Sequence, residues 1–584
     1  MKYLESNDLF NYQRRRSSVV HIGSLEMGGD NPIRIQSMAN TNTNDIEPSV
    51  EQALRIVAAG GELVRFTAQG VREAESLASI RRSLTEKGCN TPLVADIHFN
   101  PAAAEVAAQY VEKVRVNPGN FVDRVHTLQR FDYTDEEYQQ ELNKIKDRLL
   151  PLLRICREHH TALRIGVNHG SLSDRILSRY GDTPQGMVES CMEFLRICKA
   201  DDFSDVVISI KASNTVVMVQ TVRLLVATMR EEGLSFPLHL GVTEAGDGED
   251  GRVKSALGIG ALLADGIGDT VRVSLSEAPE CEIPVARKLV DYVSGRAGHA
   301  KIVAKDSGKV NPFQYARRDT FRVGNIGGNA LPVVLSSSAV TSGNLAPDYC
   351  VEDVPLYDAS QLSALRADAS PLKFLQLSYG DYGKELLSAV DERTVFVLTT
   401  DHQNGVGEQR AFFHALLADD VKNPVVLKRT YADASLEDLQ IKAAADLGLF
   451  FIDGLGDGLW VEAPNVPQPQ LLSLSFGILQ GSRVRVSKTE YISCPSCGRT
   501  LFDLQSTIAQ IKAKTSHLKG LKIGIMGCIV NGPGEMADAD YGYVGSAKGK
   551  VNLYKGQTCV EKLIPEGEAV ERLIDLIKRN GDWK

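Results

Sequence analysis

Cysteine and long apolar segments are scarce in this sequence, and each shortage excludes a class of protein. Only 10 of its 584 residues are cysteine, too few for a disulfide scaffold and consistent with a reducing compartment. No apolar run approaches the ~18 residues that a membrane-spanning helix needs. The polar N-terminal segment, which carries Arg14, Arg15 and Arg16, lacks the apolar stretch of a secretory signal. We therefore expect a cytoplasmic protein.

A large excess of charge is also absent. The formal net charge is −9, so the overall charge does not indicate a nucleic-acid-binding protein. The hydrophobic fraction of 43% and the charged fraction of 24% are ordinary for a globular protein. The length predicts roughly two to four domains, and any anion-binding site must come from a local cluster of cations.

The first predicted domain spans residues 1–296. Between about residues 30 and 296, eight strand-like segments alternate with segments of helical period. Consecutive βα units of this size predict a (β/α)8 TIM barrel, in which the active site lies at the carboxyl ends of the strands. A doubly wound parallel sheet is the alternative architecture for the same pattern.

Two further α/β domains are predicted. Residues 297–482 also alternate but contain no chemical constellation, so we interpret them as an inserted, partial-barrel-like domain that acts as a spacer. Its predicted strands are 333–336, 374–378, 395–399, 425–428 and 449–452. Residues 483–584 are predicted to form a small α/β domain, which holds the candidate metal ligands.

Polar residues mark the ends of the predicted barrel strands. Residues spaced i, i+2 lie on the same face of a strand. The pairs are Arg65/Thr67, Asp96/His98, Arg115/Asn117, Ser209/Lys211 and Arg272/Ser274, with Arg164 and Asn168 on the fifth strand and Thr243 and Glu244 closing the seventh. Burying so many cations is unfavourable unless an anion neutralises them, and guanidinium groups match phosphate geometry. We predict a diphosphate site; an internal salt-bridge network is the alternative.

Acidic residues of this barrel mouth are candidates for proton transfer. Asp96 and His98 form either an acid–base or metal-binding pair, or a hydrogen-bonded pair that only orients its neighbours. Glu244 is the better candidate acid because it lies beside the predicted cations.

The last hundred residues contain an incomplete site for a soft metal. Cys494 and Cys497 form a C-x-x-C pair, and Cys528 begins a Gly/Pro-rich turn that ends at Glu535. Thiolates select zinc or iron–sulfur clusters over hard ions. Three thiolates with one oxygen donor fit a 4Fe–4S cluster, and the carboxylate would leave one metal corner exchangeable.

A closed structural zinc site is the main alternative. It needs a fourth protein ligand, which Cys559 or His517 could supply. A thioredoxin-like redox pair is a third interpretation, but the C-x-x-C motif does not open a helix in the expected βαβ context. The residues alone therefore do not decide between zinc, an iron–sulfur cluster and a redox pair.

The motifs resemble those of the 4-hydroxy-3-methylbut-2-enyl diphosphate synthases, the iron–sulfur enzymes of the methylerythritol phosphate route to isoprenoids. The matching segments are 35–40, 93–99, 114–120, 164–168, 210–213, 238–245 and 268–274 in the barrel, and 494–497 and 527–535 in the last domain. Residues 297–482 match only the long, three-domain form of the family. Ala39 is a small departure, since the family usually has threonine there.

The resemblance implies an activity and a role for each site residue. The reaction would be the reductive ring opening and dehydration of 2-C-methyl-D-erythritol 2,4-cyclodiphosphate to 4-hydroxy-3-methylbut-2-enyl diphosphate. Glu244 would donate the proton, with Asp96 nearby. The implied substrate-binding residues are Arg65, Arg115, Asn117, Arg164, Asn168, Lys211, Thr243, Arg272 and Ser274, and the implied cluster ligands are Cys494, Cys497, Cys528 and, exchangeably, Glu535.

The resemblance also implies partners. The electron donor would be reduced flavodoxin or ferredoxin, and neither nucleic acid nor membrane is expected to bind. In the short form of the family the cluster domain reaches the barrel of a second subunit in a head-to-tail homodimer; here the insert could permit closure within one chain. The missing transit peptide favours a bacterial cytoplasm. The competing function is a non-redox TIM-barrel enzyme with a structural zinc module.

Overall fold

The structure, a computed structural model, describes residues 3–4, 8–97, 100–122, 132–530 and 532–584. Its chain begins with an antiparallel hairpin of β1 (Val20–Ile22) and β2 (Leu25–Met27). Buried Val20 and Ile22 pack against Leu63 and Val94 on the barrel interior. The hairpin therefore seals the end of the barrel opposite the predicted active site, and the sequence pattern does not predict it.

Eight parallel strands follow and form the predicted barrel. They are β3 (Arg34–Met38), β4 (Leu63–Thr67), β5 (Leu93–Asp96), β6 (Lys113–Val116), β7 (Ala162–Asn168), β8 (Val206–Lys211), β9 (His239–Leu240) and β10 (Thr270–Val271). They pair in the order β8-β7-β6-β5-β4-β3-β10-β9. A parallel bridge between Ile208 and Leu238 brings the two ends together. This nearly closed ring confirms the TIM-barrel prediction over the doubly wound sheet.

Helices connect these strands and cover the outside of the barrel. They are α1 (Ile46–Ala58), α2 (Val71–Glu86), α3 (Pro101–Ala107), α4 (Pro118–Phe121), α5 (Asp135–His159), α6 (Asp174–Tyr180), α7 (Pro184–Ala200), α8 (Thr215–Glu231), α9 (Gly248–Ala264) and α10 (Glu282–Ser294). The longest, α5, begins with a capping box in which Thr134 and Glu137 satisfy each other's backbone N–H groups.

The insert is a half-barrel of parallel strands. Its strands are β11 (Val333–Ser336), β12 (Tyr349–Cys350), β13 (Leu356–Asp358), β14 (Lys373–Leu377), β15 (Thr394–Leu398), β16 (Val425–Thr430) and β17 (Gly458–Glu462), in the order β12-β11-β17-β16-β15-β14-β13. Its helices are α11 (Leu362–Ala367), α12 (Lys384–Ala389), α13 (Gly405–Ala418), α14 (Leu436–Ile452) and α15 (Gln468–Gly481). The partial-barrel prediction is confirmed.

One predicted strand of the insert is wrong. Residues 449–452 are the last turn of α14, and the strand that completes this part of the sheet is β17. The helix is buried on nearly all sides between the half-barrel and α9, where Leu257 meets Gly448. A helix without a solvent face loses the 3.6-residue alternation that identifies helices, so its apolar end resembles a buried strand.

The insert is fixed to the side of the first barrel. Both contribute to one hydrophobic core. The buried guanidinium of Arg223 on α8 contacts a carboxylate oxygen of Asp265 at 2.8 Å and one of Asp453, at the end of α14, at 2.6 Å. A paired, hydrogen-bonded charge in a dry interface constrains geometry because breaking it would leave an uncompensated buried charge.

The last domain is a small mixed sheet with two long helices. It contains β18 (Glu490–Ser493), β19 (Lys522–Met526), β20 (Tyr541–Ala547), β21 (Lys550–Lys555) and β22 (Thr558–Pro565), with α16 (Leu504–Thr515), α17 (Gly532–Glu535) and α18 (Glu566–Arg579). The first three strands are parallel and the last two antiparallel. No helix in the described ranges combines the length and apolarity needed to cross a bilayer.

Candidate active site

A cavity lies where the last domain covers the barrel mouth of the same chain. Most of the predicted site residues line it. They are Arg65, Arg115, Arg164, Asn168, Lys211, Thr243, Glu244, Arg272 and Ser274 from the barrel, and Cys494, Cys497, Cys528 and Glu535 from the last domain. The geometry therefore brings together two groups of residues that are more than two hundred positions apart in sequence.

The two domains meet through backbone as well as side chains. Ala245, after β9, forms a parallel bridge with Ser493 at the end of β18, and the Ser276 hydroxyl donates to the Cys494 carbonyl at 2.9 Å. The Gly170 and Gly534 backbones touch: a Cβ at Gly170 would lie 2.3 Å from the Gly534 oxygen. Both loops need glycine there because no side chain fits between them.

Asp96 does not line the cavity but lies beneath it, fully buried. Its carboxylate contacts Arg65 at 3.2 Å and Arg115 at 3.0 Å, and it approaches Arg164 at 3.8 Å. The carboxylate therefore anchors the guanidinium groups, which is the orienting role among the predicted alternatives. His98, its predicted companion, lies outside the described residues.

Asn117 is directed away from the cavity. Its amide donates to the Ser171 hydroxyl at 2.8 Å, and its side-chain oxygen accepts from the Gly119 N–H at 3.2 Å. The residue is fully buried as the N-cap of α4. The backbone of Asn117 is still extended, but its side chain caps α4 and is not among those that line the cavity.

The barrel cations are only partly neutralised. Arg272 is matched by the buried carboxylate of Glu282 through two 3.0 Å contacts; burial opposes the charge, yet Glu282 raises the pKa of Arg272. Burial, Arg272 and Arg115 lower the pKa of Arg65 to about 10 against the effect of Asp96. Burial and the surrounding guanidinium groups hold the pKa of Lys211 well below its usual value. The site is thus short of negative charge.

His239 supports this cation layer from below. Its Nδ1 atom lies 2.8 Å from an Arg164 guanidinium nitrogen, so that ring nitrogen accepts while the ring is neutral. Burial, Lys211 and Arg164 hold the pKa of the imidazole well below its usual value. Glu282 and His239 were not among the predicted site residues; a histidine inside a predicted barrel strand was the available signal for the second.

The three cysteines form one wall of the cavity. The Gly527 N–H donates to the Cys494 sulfur at 3.2 Å, and burial together with the Cys497 thiol raises the pKa of Cys494. Burial also raises the pKa of Cys528. No three His, Cys, Asp or Glu side chains in the described part of the chain converge on the position of a single ion.

The candidate fourth zinc ligands lie elsewhere. Cys559 is on β22, where its thiol faces the Glu561 carbonyl at 3.7 Å. The His517 ring packs edge-on against Trp583 with 4.9 Å between ring centres. Neither lines the cavity that Cys494, Cys497 and Cys528 share, whereas Glu535 does, so the donor set around the cavity is three thiols and a carboxylate.

Glu535 is held by the barrel. Its Oε1 atom accepts from the Asn168 amide at 2.8 Å, and its backbone oxygen accepts from the Ser213 hydroxyl at 3.4 Å. The neighbouring Glu244 is buried with a positive φ of 50°, a strained conformation of the kind found at functional sites. Burial and the Glu535 carboxylate raise the pKa of Glu244 well above its usual value.

Arg499 is a cavity residue that the sequence reading missed. It lies two residues after Cys497, is buried, and approaches Asp96 with a guanidinium nitrogen at 3.6 Å. Its position directly after the C-x-x-C pair was the available signal. It adds a cation from the last domain to those of the barrel.

Fold and site define a TIM-barrel enzyme whose cation-rich mouth is covered by a cysteine-bearing domain, and comparisons with known proteins agree. The sequence matches the GcpE TIM-barrel domain over residues 17–287 and the GcpE protein C-terminal domain over residues 490–579. A 4-hydroxy-3-methylbut-2-en-1-yl diphosphate synthase (flavodoxin) from Phocaeicola vulgatus is 59% identical over 611 aligned residues, covering 99% of each chain.

More distant relatives carry the same name. The Porphyromonas gingivalis protein is 51% identical, with 99% of each chain covered, and the Leptospira interrogans protein is 41% identical, with 100% of this chain and 99% of the relative covered. The chain belongs to the 4-hydroxy-3-methylbut-2-en-1-yl diphosphate synthase family. The predictions of this family and of an oxidoreductase of isoprenoid biosynthesis are confirmed.

Proposed function

We propose that the protein reductively opens and dehydrates 2-C-methyl-D-erythritol 2,4-cyclodiphosphate to 4-hydroxy-3-methylbut-2-enyl diphosphate. One observation carries the proposal: three thiols and Glu535 face a cluster of under-neutralised cations across a single cavity. The cations suit a diphosphate, and the thiols suit a soft metal centre. A non-redox enzyme with a closed zinc module is not favoured because neither Cys559 nor His517 lines the cavity that the three thiols share.

The cation-lined floor would bind the two phosphates. Arg65, Arg115, Arg164, Lys211 and Arg272 line that floor, and Asn168, Thr243 and Ser274 complete it with uncharged polar groups. Asp96 would hold the guanidinium groups of Arg65 and Arg115 in place before substrate enters. Preorganised cations cost no reorganisation when negative charge arrives or develops on the diphosphate.

A 4Fe–4S cluster fits the donor set of Cys494, Cys497, Cys528 and Glu535. When bound, it would supply two electrons, one at a time, for ring opening and loss of a hydroxyl group as water. All four side chains line one cavity, and three thiols with one oxygen donor suit such a cluster. Glu535 would be the exchangeable ligand, because a carboxylate that also accepts a hydrogen bond from Asn168 binds iron more weakly than a thiolate does.

Glu244 would deliver the proton to the departing hydroxyl group. It is buried and lines the cavity, and burial together with Glu535 raises its pKa, which favours the protonated form that a general acid needs. The last domain of the same chain would exclude water from the reduced substrate. The half-barrel, fixed by the Arg223–Asp453 contact, would act as the spacer that sets this closure.

Reduced flavodoxin is the proposed electron donor, since relatives of this length carry it in their names. The test is anaerobic purification of the full chain, followed by iron, sulfide and zinc analysis and by turnover of the cyclodiphosphate with reduced flavodoxin. We expect iron with labile sulfide and formation of the linear diphosphate. Bound zinc without labile sulfide, or iron–sulfur protein that does not consume the cyclodiphosphate, would refute the proposal.

A further inference from the structure

Arg499 is a cavity cation whose nearest carboxylate lies beyond good hydrogen-bond distance. That carboxylate is Asp96, at 3.6 Å. Asp96 already accepts from Arg115 at 3.0 Å and from Arg65 at 3.2 Å. One carboxylate therefore faces several guanidinium groups, and it gives Arg499 and Arg164 only distant counter-charge.

The Arg499 guanidinium has unused hydrogen-bonding capacity. Its Nε atom is buried and has no hydrogen-bond partner among the described residues. A buried donor without a partner is unfavourable, so a ligand that enters the cavity can gain a hydrogen bond from it. The side chain lines the cavity floor shared by Arg65, Arg115 and Lys211, which places that donor beside the proposed diphosphate site.

Arg499 differs from the other cavity cations in its origin. The others lie on barrel strands or directly after them, whereas Arg499 belongs to the loop that carries Cys494 and Cys497. A ligand that contacts both Arg499 and the barrel cations would join the two domains. Its binding would therefore favour the closed arrangement in which the thiols face the substrate.

We propose that Arg499 is a substrate-binding residue supplied by the cysteine-bearing domain, and that it contacts the phosphate oxygens together with the barrel arginines. The inference rests on the proposed function for the identity of the ligand. It adds a phosphate contact from the cysteine-bearing domain beside those of the barrel, so that the anion itself joins the two domains. Before the anion binds, the Asp96 carboxylate at 3.6 Å is the nearest counter-ion of Arg499.

The test uses inorganic pyrophosphate as the probe and the anaerobically purified full chain. Calorimetry would compare the unmodified protein with Arg499→Gln, and with Lys519→Gln as a control that removes an exposed lysine of the same domain. We expect Arg499→Gln to weaken pyrophosphate binding about tenfold or more, as for loss of charge-assisted hydrogen bonds. Lys519→Gln should bind as the unmodified protein does. Equal affinity of all three proteins would overturn the proposal.

Arg499→Lys separates binding from a merely structural ion pair with Asp96. Lysine keeps the charge but not the fork, so pyrophosphate binding should weaken several-fold while the unfolding temperature of the ligand-free protein stays close to that of the unmodified protein. A lowered unfolding temperature with unchanged pyrophosphate affinity would overturn the proposal. Pyrophosphate binding needs no turnover. The affinities would therefore still test the role of Arg499 if the protein did not catalyse the proposed reaction.

Discussion

The Asn168 amide of the barrel donates to the Glu535 carboxylate of the last domain at 2.8 Å. The two residues are 367 positions apart in sequence, and Glu244 lies beside the same carboxylate. Glu535 is therefore positioned by the substrate-binding domain and not only by its own loop. A ligand that enters the barrel mouth can compete directly for the groups that hold Glu535.

Replacing Glu535 by alanine should separate cluster binding from turnover. Three thiols remain to hold the metal, so Glu535→Ala should retain iron and labile sulfide but lose nearly all formation of the linear diphosphate. Metal analysis and a turnover assay on the same preparation measure both quantities. Exposed Glu568→Ala in α18 is the matched control and should remain fully active. Full activity of Glu535→Ala would remove Glu535 from the mechanism.

Replacing Arg115 by alanine should weaken binding of the cyclodiphosphate by about 2 kcal/mol or more, because a charge-assisted contact in a buried site is lost. Arg115 also contacts Asp96 at 3.0 Å, so the unfolding transition must be measured alongside affinity. Arg72→Ala removes an exposed arginine of α2 and should change neither quantity. Unchanged affinity in folded Arg115→Ala would place Arg115 outside the substrate site.

Adding one methyl group at Gly166 should disturb the same arginine. A Cβ there would lie 2.6 Å from Arg115 Nε, and Arg115 also donates to the Gly166 carbonyl at 2.9 Å. Gly166→Ala should therefore raise KM for the cyclodiphosphate by about tenfold through displacement of the guanidinium group. The control is Gly567→Ala, where a Cβ meets nothing within 4 Å. Equal KM values for the two variants would contradict the fixed position of Arg115.

His239 should make stability depend on pH in a predictable direction. Its pKa in the folded protein is well below the usual value, whereas in the unfolded chain it titrates near 6.5. As pH falls through this unfolded-state value, the unfolded state therefore gains more protons than the folded state, and the free energy of unfolding decreases.

The variant His239→Gln should remove that contribution while its amide oxygen still accepts from Arg164. Denaturant titrations at pH 7 and pH 5 should show a smaller loss of unfolding free energy than in the unmodified protein. His159→Gln, at an exposed end of α5, should retain the full loss. The same pH dependence in His239→Gln and the unmodified protein would show that His239 is not held neutral.

Periodicity and local motifs predicted much of this molecule, and the failures have physical causes. Strand alternation placed Arg65, Arg115 and Lys211 in the barrel mouth because consecutive inward positions are fixed by strand geometry. Asn117, which it also assigned to the mouth, caps α4 directly after β6. Alternation applies only as far as the strand continues.

Other features depend on the tertiary structure. The end of α14 at Ile452 resembled a strand because α9 and the half-barrel bury all its faces. The pairing of Arg272 with Glu282, and the approach of Arg499 to Asp96, join segments whose proximity no local pattern encodes. The motif of three cysteines and Glu535 is visible in the sequence. The hydrogen bond by which Asn168 of the barrel positions Glu535 is not.

The most direct test of the central claim is Mössbauer spectroscopy of the anaerobically purified, ⁵⁷Fe-labelled chain, with and without the cyclodiphosphate. The claim is that one iron is held by the Glu535 carboxylate and can be released to substrate. We predict one iron site distinct from the others, whose signal changes when the cyclodiphosphate is added and is already altered in Glu535→Ala. A cluster with equivalent, thiolate-bound irons that does not respond to the cyclodiphosphate would contradict the claim.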